Sequence, residues 1–195
     1  EAENIYLEAI HCIIPNMNIY YQLALTYGNQ GKYMSAVITF LEALKLAPHD
    51  LEIKYQLGVA YMELQVFNTA AEYFEDYIVK NKNDEITFFL LGKCYFQIKD
   101  FPAALLALQQ ARILAPHDYL ILFYIGKSYA SLGLEEDAAL AFRKALKINA
   151  EDPNIYFALG NAYYKLNKKK KVKETLDILY MLDRELFEIL SMKIN

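Results

Sequence analysis

No stretch of this chain is apolar for anything near the roughly 20 residues that a membrane-spanning helix requires. Tryptophan is absent, and only two cysteines, five prolines and seven glycines occur in 195 residues. Cys12 and Cys94 form no CxxC or histidine-paired metal pattern. The histidines His11, His49 and His117 have no partnering nucleophile, the acidic residues are scattered, and no glycine-rich phosphate loop follows a strand. No catalytic, cofactor-binding or metal-binding set is therefore expected, and the chain reads as a protein that is not an enzyme. An excess of one charge is also missing: 20 Lys and Arg face 24 Asp and Glu, a net charge of −4. That balance argues against a general nucleic-acid binder, which presents a basic face. The chain starts at Glu1 without a methionine or a signal-like segment, so a fragment or mature form is expected and no targeting is read from it.

What the chain does have is a period. Tyr27, Tyr61, Tyr95, Tyr129 and Tyr163 recur every 34 residues, as do Ala24, Gly58, Gly92, Gly126 and Gly160 three places earlier. Leu23, Leu57, Leu91, Ile125 and Leu159 precede those. A fixed spacing of this length marks a repeat solenoid. Starting the unit at Met17 gives five full repeats, 17–50, 51–84, 85–118, 119–152 and 153–186. Apolar residues at repeat positions 4, 7, 8 and 11, and again at 20, 24 and 27, follow helical spacing, so each repeat is expected to be two amphipathic helices joined by a short turn. Position 20 is small (Ala36, Ala70, Ala104, Ala138, Val172) and position 24 bulky (Phe40, Phe74, Leu108, Phe142, Leu176). Small residues at 8 and 20 let the paired helices approach, and the bulky ones fill the remaining space.

The punctuation agrees with this register. Four of the seven glycines occupy position 8, Gly31 and Gly133 fall in turns, and only Gly28 stands outside. Pro48 and Pro116 close second helices, while Pro102 and Pro153 follow Asp100 and Asp152 at helix starts, where proline costs no hydrogen bond. In this register Cys12 and Cys94 lie about two repeats apart, too far for a disulfide, which needs Cα atoms within about 7 Å. Free buried thiols are expected, favouring a reducing, cytoplasmic setting.

These residues resemble the tetratricopeptide repeat: an aromatic at 4, Leu at 7, Gly or Ala at 8, Tyr at 11, Ala at 20, an aromatic at 24, Ala at 27 and Pro at 32, almost complete in 17–48 and 85–116. The resemblance spans essentially all of residues 1–195 and implies one all-α, right-handed superhelical solenoid of antiparallel helix pairs. Residues 1–16, with Ala2, Tyr6 and Ala9 at positions 20, 24 and 27, fit the second helix of a preceding repeat. Residues 184–194 read as a short capping helix, with 187–195 beyond the last full repeat. Tyr77 stands where Ala43, Ala111 and Ala145 occur, followed by Lys80 and Lys82, so the junction between repeats 2 and 3 is expected to be the least regular.

The resemblance implies a protein-interaction scaffold, and the first-helix face not spent on packing is where a partner would lie. Position 5 is aromatic throughout (Tyr21, Tyr55, Phe89, Phe123, Phe157), either as scaffold packing or as a strip gripping a peptide. Lys93 and Lys127 share position 9, among Phe89, Phe96, Phe123 and Tyr124. Two cations on an aromatic floor suit an extended peptide or helix with bulky and acidic side chains. Gln22, Gln56, Asn161 and Tyr164 complete the candidate groove. The family's carboxylate clamp needs Lys at 5 with Asn at 9, then Asn at 6, then Lys at 2 with Arg at 6; no three consecutive repeats match, which argues against a chaperone-tail adaptor. The run Lys168, Lys169, Lys170, Lys171 and Lys173 is either a solvated end or a mark of an anionic partner or lipid surface. Homo-oligomerisation through the terminal repeats, where Ile5, Leu7, Ile10 and Ile13 lie, is a competing role, and service as the non-catalytic arm of a larger protein is a third.

Overall fold

The computed structural model describes residues 5–6 and 16–194. The helix expected over 1–16 lies outside these apart from Ile5, Tyr6 and Asn16, and so do Cys12, His11, Leu7, Ile10 and Ile13. All regular structure among the described residues is helical. The helices are α1 (Met17–Asn29), α2 (Tyr33–Leu46), α3 (Leu51–Glu63), α4 (Phe67–Ile78), α5 (Glu85–Gln97), α6 (Phe101–Leu114), α7 (Tyr119–Ser131), α8 (Glu135–Ile148), α9 (Pro153–Lys165), α10 (Lys169–Leu182) and α11 (Arg184–Ile194). None is long and apolar enough to cross a membrane. The chain divides into two compact units, residues 1–98 and 99–195, each a run of helices packed on their neighbours in sequence.

Helix starts follow one chemical rule. Asn16, Asp50, Asp84, Asp118 and Asp152 stand 34 residues apart, and each side chain accepts a backbone N–H of the first turn it precedes, at 2.7 to 3.1 Å. The second helices α2, α4, α8 and α10 have no side-chain cap, because the turn before them is closed by the backbone. The N–H groups of Lys32, Val66, Leu134 and Lys168 donate to the carbonyls of Tyr27, Tyr61, Tyr129 and Tyr163 at 2.9 to 3.0 Å. That six-to-one bond requires a left-handed residue beforehand. Gly31 and Gly133 supply it at φ 72° and 76°, but Gln65, Lys99 and Asn167 adopt it too, at φ 60°, 65° and 55°. The tyrosine column therefore serves the turn through its backbone as well as the core through its rings.

The two units share their core packing. In residues 1–98, Ala24, Ala36, Phe40, Ala43, Ile53 and Leu57 form one buried cluster, and in residues 99–195 Ala138, Phe142, Ala145, Ile155, Leu159 and Val172 form another. A Cβ added to Gly58 would lie 2.7 Å from Phe74, and one added to Gly126 would lie 2.5 Å from Phe142. Position 8 is small because the position-24 ring of the same repeat rests on it. Gly160 differs. Position 24 there is Leu176, and the atom 2.5 Å from an added Cβ is Cδ2 of Leu190, a fully buried residue of α11.

Tyr77 is half-buried with its ring 5.1 Å from that of Tyr55, whereas Ala43 and Ala145 at the same repeat position are wholly buried. Its helix, α4, has 12 residues where α2 and α6 have 14. Burial, and next the charge of Asp84, push the Tyr77 hydroxyl above its ordinary pKa.

Candidate functional site

The position-5 rings are half-buried and pack in one recurring way. Tyr21 meets Phe40 at 5.7 Å and 58°, Tyr55 meets Phe74 at 5.9 Å and 58°, and Phe123 meets Phe142 at 5.9 Å and 50°. Such tilted pairs contribute about 0.5–1.5 kcal/mol beyond the area they bury. These aromatics thus bond first helix to second helix, and only their outer edges remain for a partner.

In residues 1–98 the first-helix faces carry a small polar network. Glu52 Oε1 accepts from the Tyr21 hydroxyl at 3.4 Å and from Gln56 Nε2 at 3.0 Å. Burial, and next the Glu52 charge, push the Tyr21 hydroxyl up to about 12. Gln22 is exposed near it. A pocket of about 210 Å³ opens among α1, α2 and α3, walled by Leu25, Asn29, Tyr33, Gln56, Val59 and Glu63. Gly28 lines it too, and nothing lies within 4 Å of a Cβ added there. The one glycine outside the repeat pattern therefore borders open space. On α5, the Lys93 ammonium sits 5.7 Å from the ring centre of Phe89, and Phe96 is half-buried one turn on. Cys94 beside them is a free, fully buried thiol, which burial pushes up to about 12.

In residues 99–195 the densest group is on α7. The Lys127 ammonium lies 4.9 Å from the ring centre of Tyr124 and 5.6 Å from that of Phe123, and the two rings meet edge to face at 6.0 Å. A cation held on aromatic faces is partly desolvated, which strengthens its attraction to a nearby anion. On α9, Phe157 is half-buried and its carbonyl accepts Asn161 Nδ2 at 2.9 Å. Asn161 Oδ1 accepts Lys193 Nζ of α11 at 2.5 Å, so this candidate residue is already engaged at both ends by its own chain. Tyr164 is exposed and lines a different pocket, at the start of α10.

Glu52, Glu63 and Lys193 escaped the sequence reading. Glu52 and Glu63 sit at positions 2 and 13, on the face already singled out, and a charge count over that face would have found them. Lys193 has no such signal, because α11 leaves the 34-residue register. No cluster of three or more His, Cys, Asp and Glu able to hold a metal occurs among the described residues.

The repeat and the fold have counterparts among known proteins. The tetratricopeptide-repeat family matches residues 21–85, and a second model of the same repeat matches 126–167. The crystal structure of MamA superposes with a TM-score of 0.81 at 23% identity, over 87% of this chain and 92% of that one. MamA residues 41 to the end from Desulfovibrio magneticus RS-1 give 0.82 at 21%, over 87% and 96%. YrrB, described as a TPR protein with an unusual peptide-binding site, gives 0.82 at 20%, over 97% and 99%. No curated protein sequence matches. The chain belongs to the tetratricopeptide-repeat family. Its fold is all-helical and of the kind that serves in general as a non-catalytic scaffold for protein interactions.

Proposed function

We propose that this protein captures an extended segment or helix of a partner protein on its first-helix faces, with Lys127, Phe123 and Tyr124 of α7 as the principal contact. The observation that carries this reading is the Lys127 ammonium seated over two aromatic rings. A partner segment with a bulky side chain beside Asp, Glu or a terminal carboxylate meets both the rings and the charge. Lys93 over Phe89 repeats the motif one repeat earlier in sequence. Gln22, Tyr21, Tyr55 and Gln56 offer neutral contacts on the other unit's first helices. Asn161 contributes only if a partner displaces Lys193. YrrB, with its unusual peptide-binding site, is consistent with this use of the fold.

The test is capture of partners from the native source by the wild-type chain and by Lys93→Glu/Lys127→Glu. The reversed chain should lose at least about tenfold in recovery of a specific partner, with helicity unchanged by circular dichroism. Equal recovery removes these lysines from the site.

A further inference from the structure

The lysine run and the pocket beside it have no role in that groove. The pocket, of about 330 Å³, is lined by Tyr164, Asn167, Lys168, Lys169, Val172, Lys173, Leu176 and Ile194. Its floor is apolar and aromatic, from Tyr164 at the end of α9, Val172 and Leu176 of α10, and Ile194 of α11. Its rim is three lysines, and no acidic residue lines it; Glu174 and Asp177 are the only carboxylates on α10.

The charge there is concentrated. Lys168, Lys169, Lys170, Lys171 and Lys173 stand within six residues of a chain whose net charge is −4. Lys171 rests 5.2 Å from the Tyr163 ring centre, but Lys168, Lys169 and Lys173 are exposed, and none of the described residues pairs with them. Positive charge in this first turn adds to the positive end of the helix rather than offsetting it. The arrangement therefore does not serve α10 itself.

We infer that this pocket is a second docking site, for an acidic protein segment that inserts one or two apolar side chains between Tyr164, Val172, Leu176 and Ile194 while its Asp and Glu residues meet Lys168, Lys169 and Lys173. The volume takes one or two large side chains and no more. The charge complementarity selects acidic flanks, and the apolar floor distinguishes such a segment from a flat anionic surface, which would leave the pocket unfilled. This site stands whether or not the groove reading holds.

The probe is fluorescein-labelled Asp-Glu-Asp-Leu-Phe-Glu-Asp-Glu, followed by anisotropy on the full chain. In the Lys93→Glu/Lys127→Glu chain, whose first-helix face no longer attracts acidic segments, saturable binding is expected, and adding Lys169→Glu/Lys173→Glu weakens it at least about tenfold. Replacing the peptide's Leu-Phe by Ser-Ser should also weaken it about tenfold. In the variant with Lys169 and Lys173 reversed, Lys169→Glu places a negative charge in the first helical turn, where it favours the helix, and Lys173 is exposed; unchanged helicity by circular dichroism makes the loss a loss of binding. No binding at about 1 mM peptide, equal binding by the reversed variant, or equal binding of the Ser-Ser peptide would each overturn the proposal. So would binding to vesicles of about 30% phosphatidylserine with none to the peptide, which would make the lysines a lipid contact.

Discussion

In residues 1–98 the pocket among α1, α2 and α3 is edged by Asn29, Gln56 and Glu63; in residues 99–195 the pocket at α10 is edged by Lys168, Lys169 and Lys173. Away from these pockets the packing is the same, with Phe74 on Gly58 in one unit and Phe142 on Gly126 in the other. The units thus differ where repeat positions are free and agree where they are not. Position 8 cannot vary without moving a buried ring, whereas position 13 carries Glu63 in one unit and Lys165 in the other.

The sharpest way to break this comparison is to attack the shared part. Phe74→Ala and Phe142→Ala should each cost about 3–5 kcal/mol in urea unfolding, by matching amounts. Gly58→Ala and Gly126→Ala should each cost about 1–3 kcal/mol for the clash, less the 0.5–1 kcal/mol that alanine gains in a helix. Gly160→Ala should cost clearly less, because the atom it meets is the end of the flexible Leu190 side chain. Equal losses at all three glycines would mean that Leu190 is held as rigidly as the rings.

A smaller effect is expected at an ion pair found in residues 99–195. Lys165 Nζ lies 2.5 Å from Glu135 Oε1, and Glu135 Oε2 is buried without a hydrogen-bond partner among the described residues. The Glu135 side chain is 11% exposed and that of Lys165 50%, so the carboxylate depends on the lysine while water still screens the pair. Lys165→Met should cost about 1–3 kcal/mol by the same unfolding measurement, and Glu135→Gln/Lys165→Met should recover much of it.

The smallest effect is a titration in residues 1–98. Tyr21 has its folded pKa raised to about 12, so its stabilising contribution is whole below about 10, the unfolded value, and fades as pH rises toward 12. Comparing wild type with Tyr21→Phe, the stability difference should be flat from pH 7 to about 9.5 and change only above it. A change near neutrality would place Tyr21 in a different environment.

The fold was legible because its determinants are periodic. The glycine and tyrosine columns, the proline positions and the small position 20 all report packing, and packing repeats with the chain. The site was less legible for three physical reasons. Aromatics at position 5 are needed by the scaffold as well, so their presence does not separate binding from packing. Lys93 and Lys127 could be placed on the right face, but their seating over rings of their own helix depends on rotamers that no column encodes. Asn161 looked like a groove residue, yet Lys193 reaches it from α11. The left-handed turns were half visible: Gly31 and Gly133 announce them, whereas Gln65, Lys99 and Asn167 adopt the same φ without glycine.

Leu190 has a consequence for the order in which this end of the molecule comes apart. The Gly160 hollow is filled by α11, so the pair α9 and α10 is complete only while that later helix is docked. Opening of α11 bares Leu190 and the hollow together and releases Lys193 from Asn161 in the same event. Amide protection in α10 should therefore follow that of α11, the two exchanging as one cooperative segment, whereas Gly58 and Gly126 are shut under rings of their own repeats.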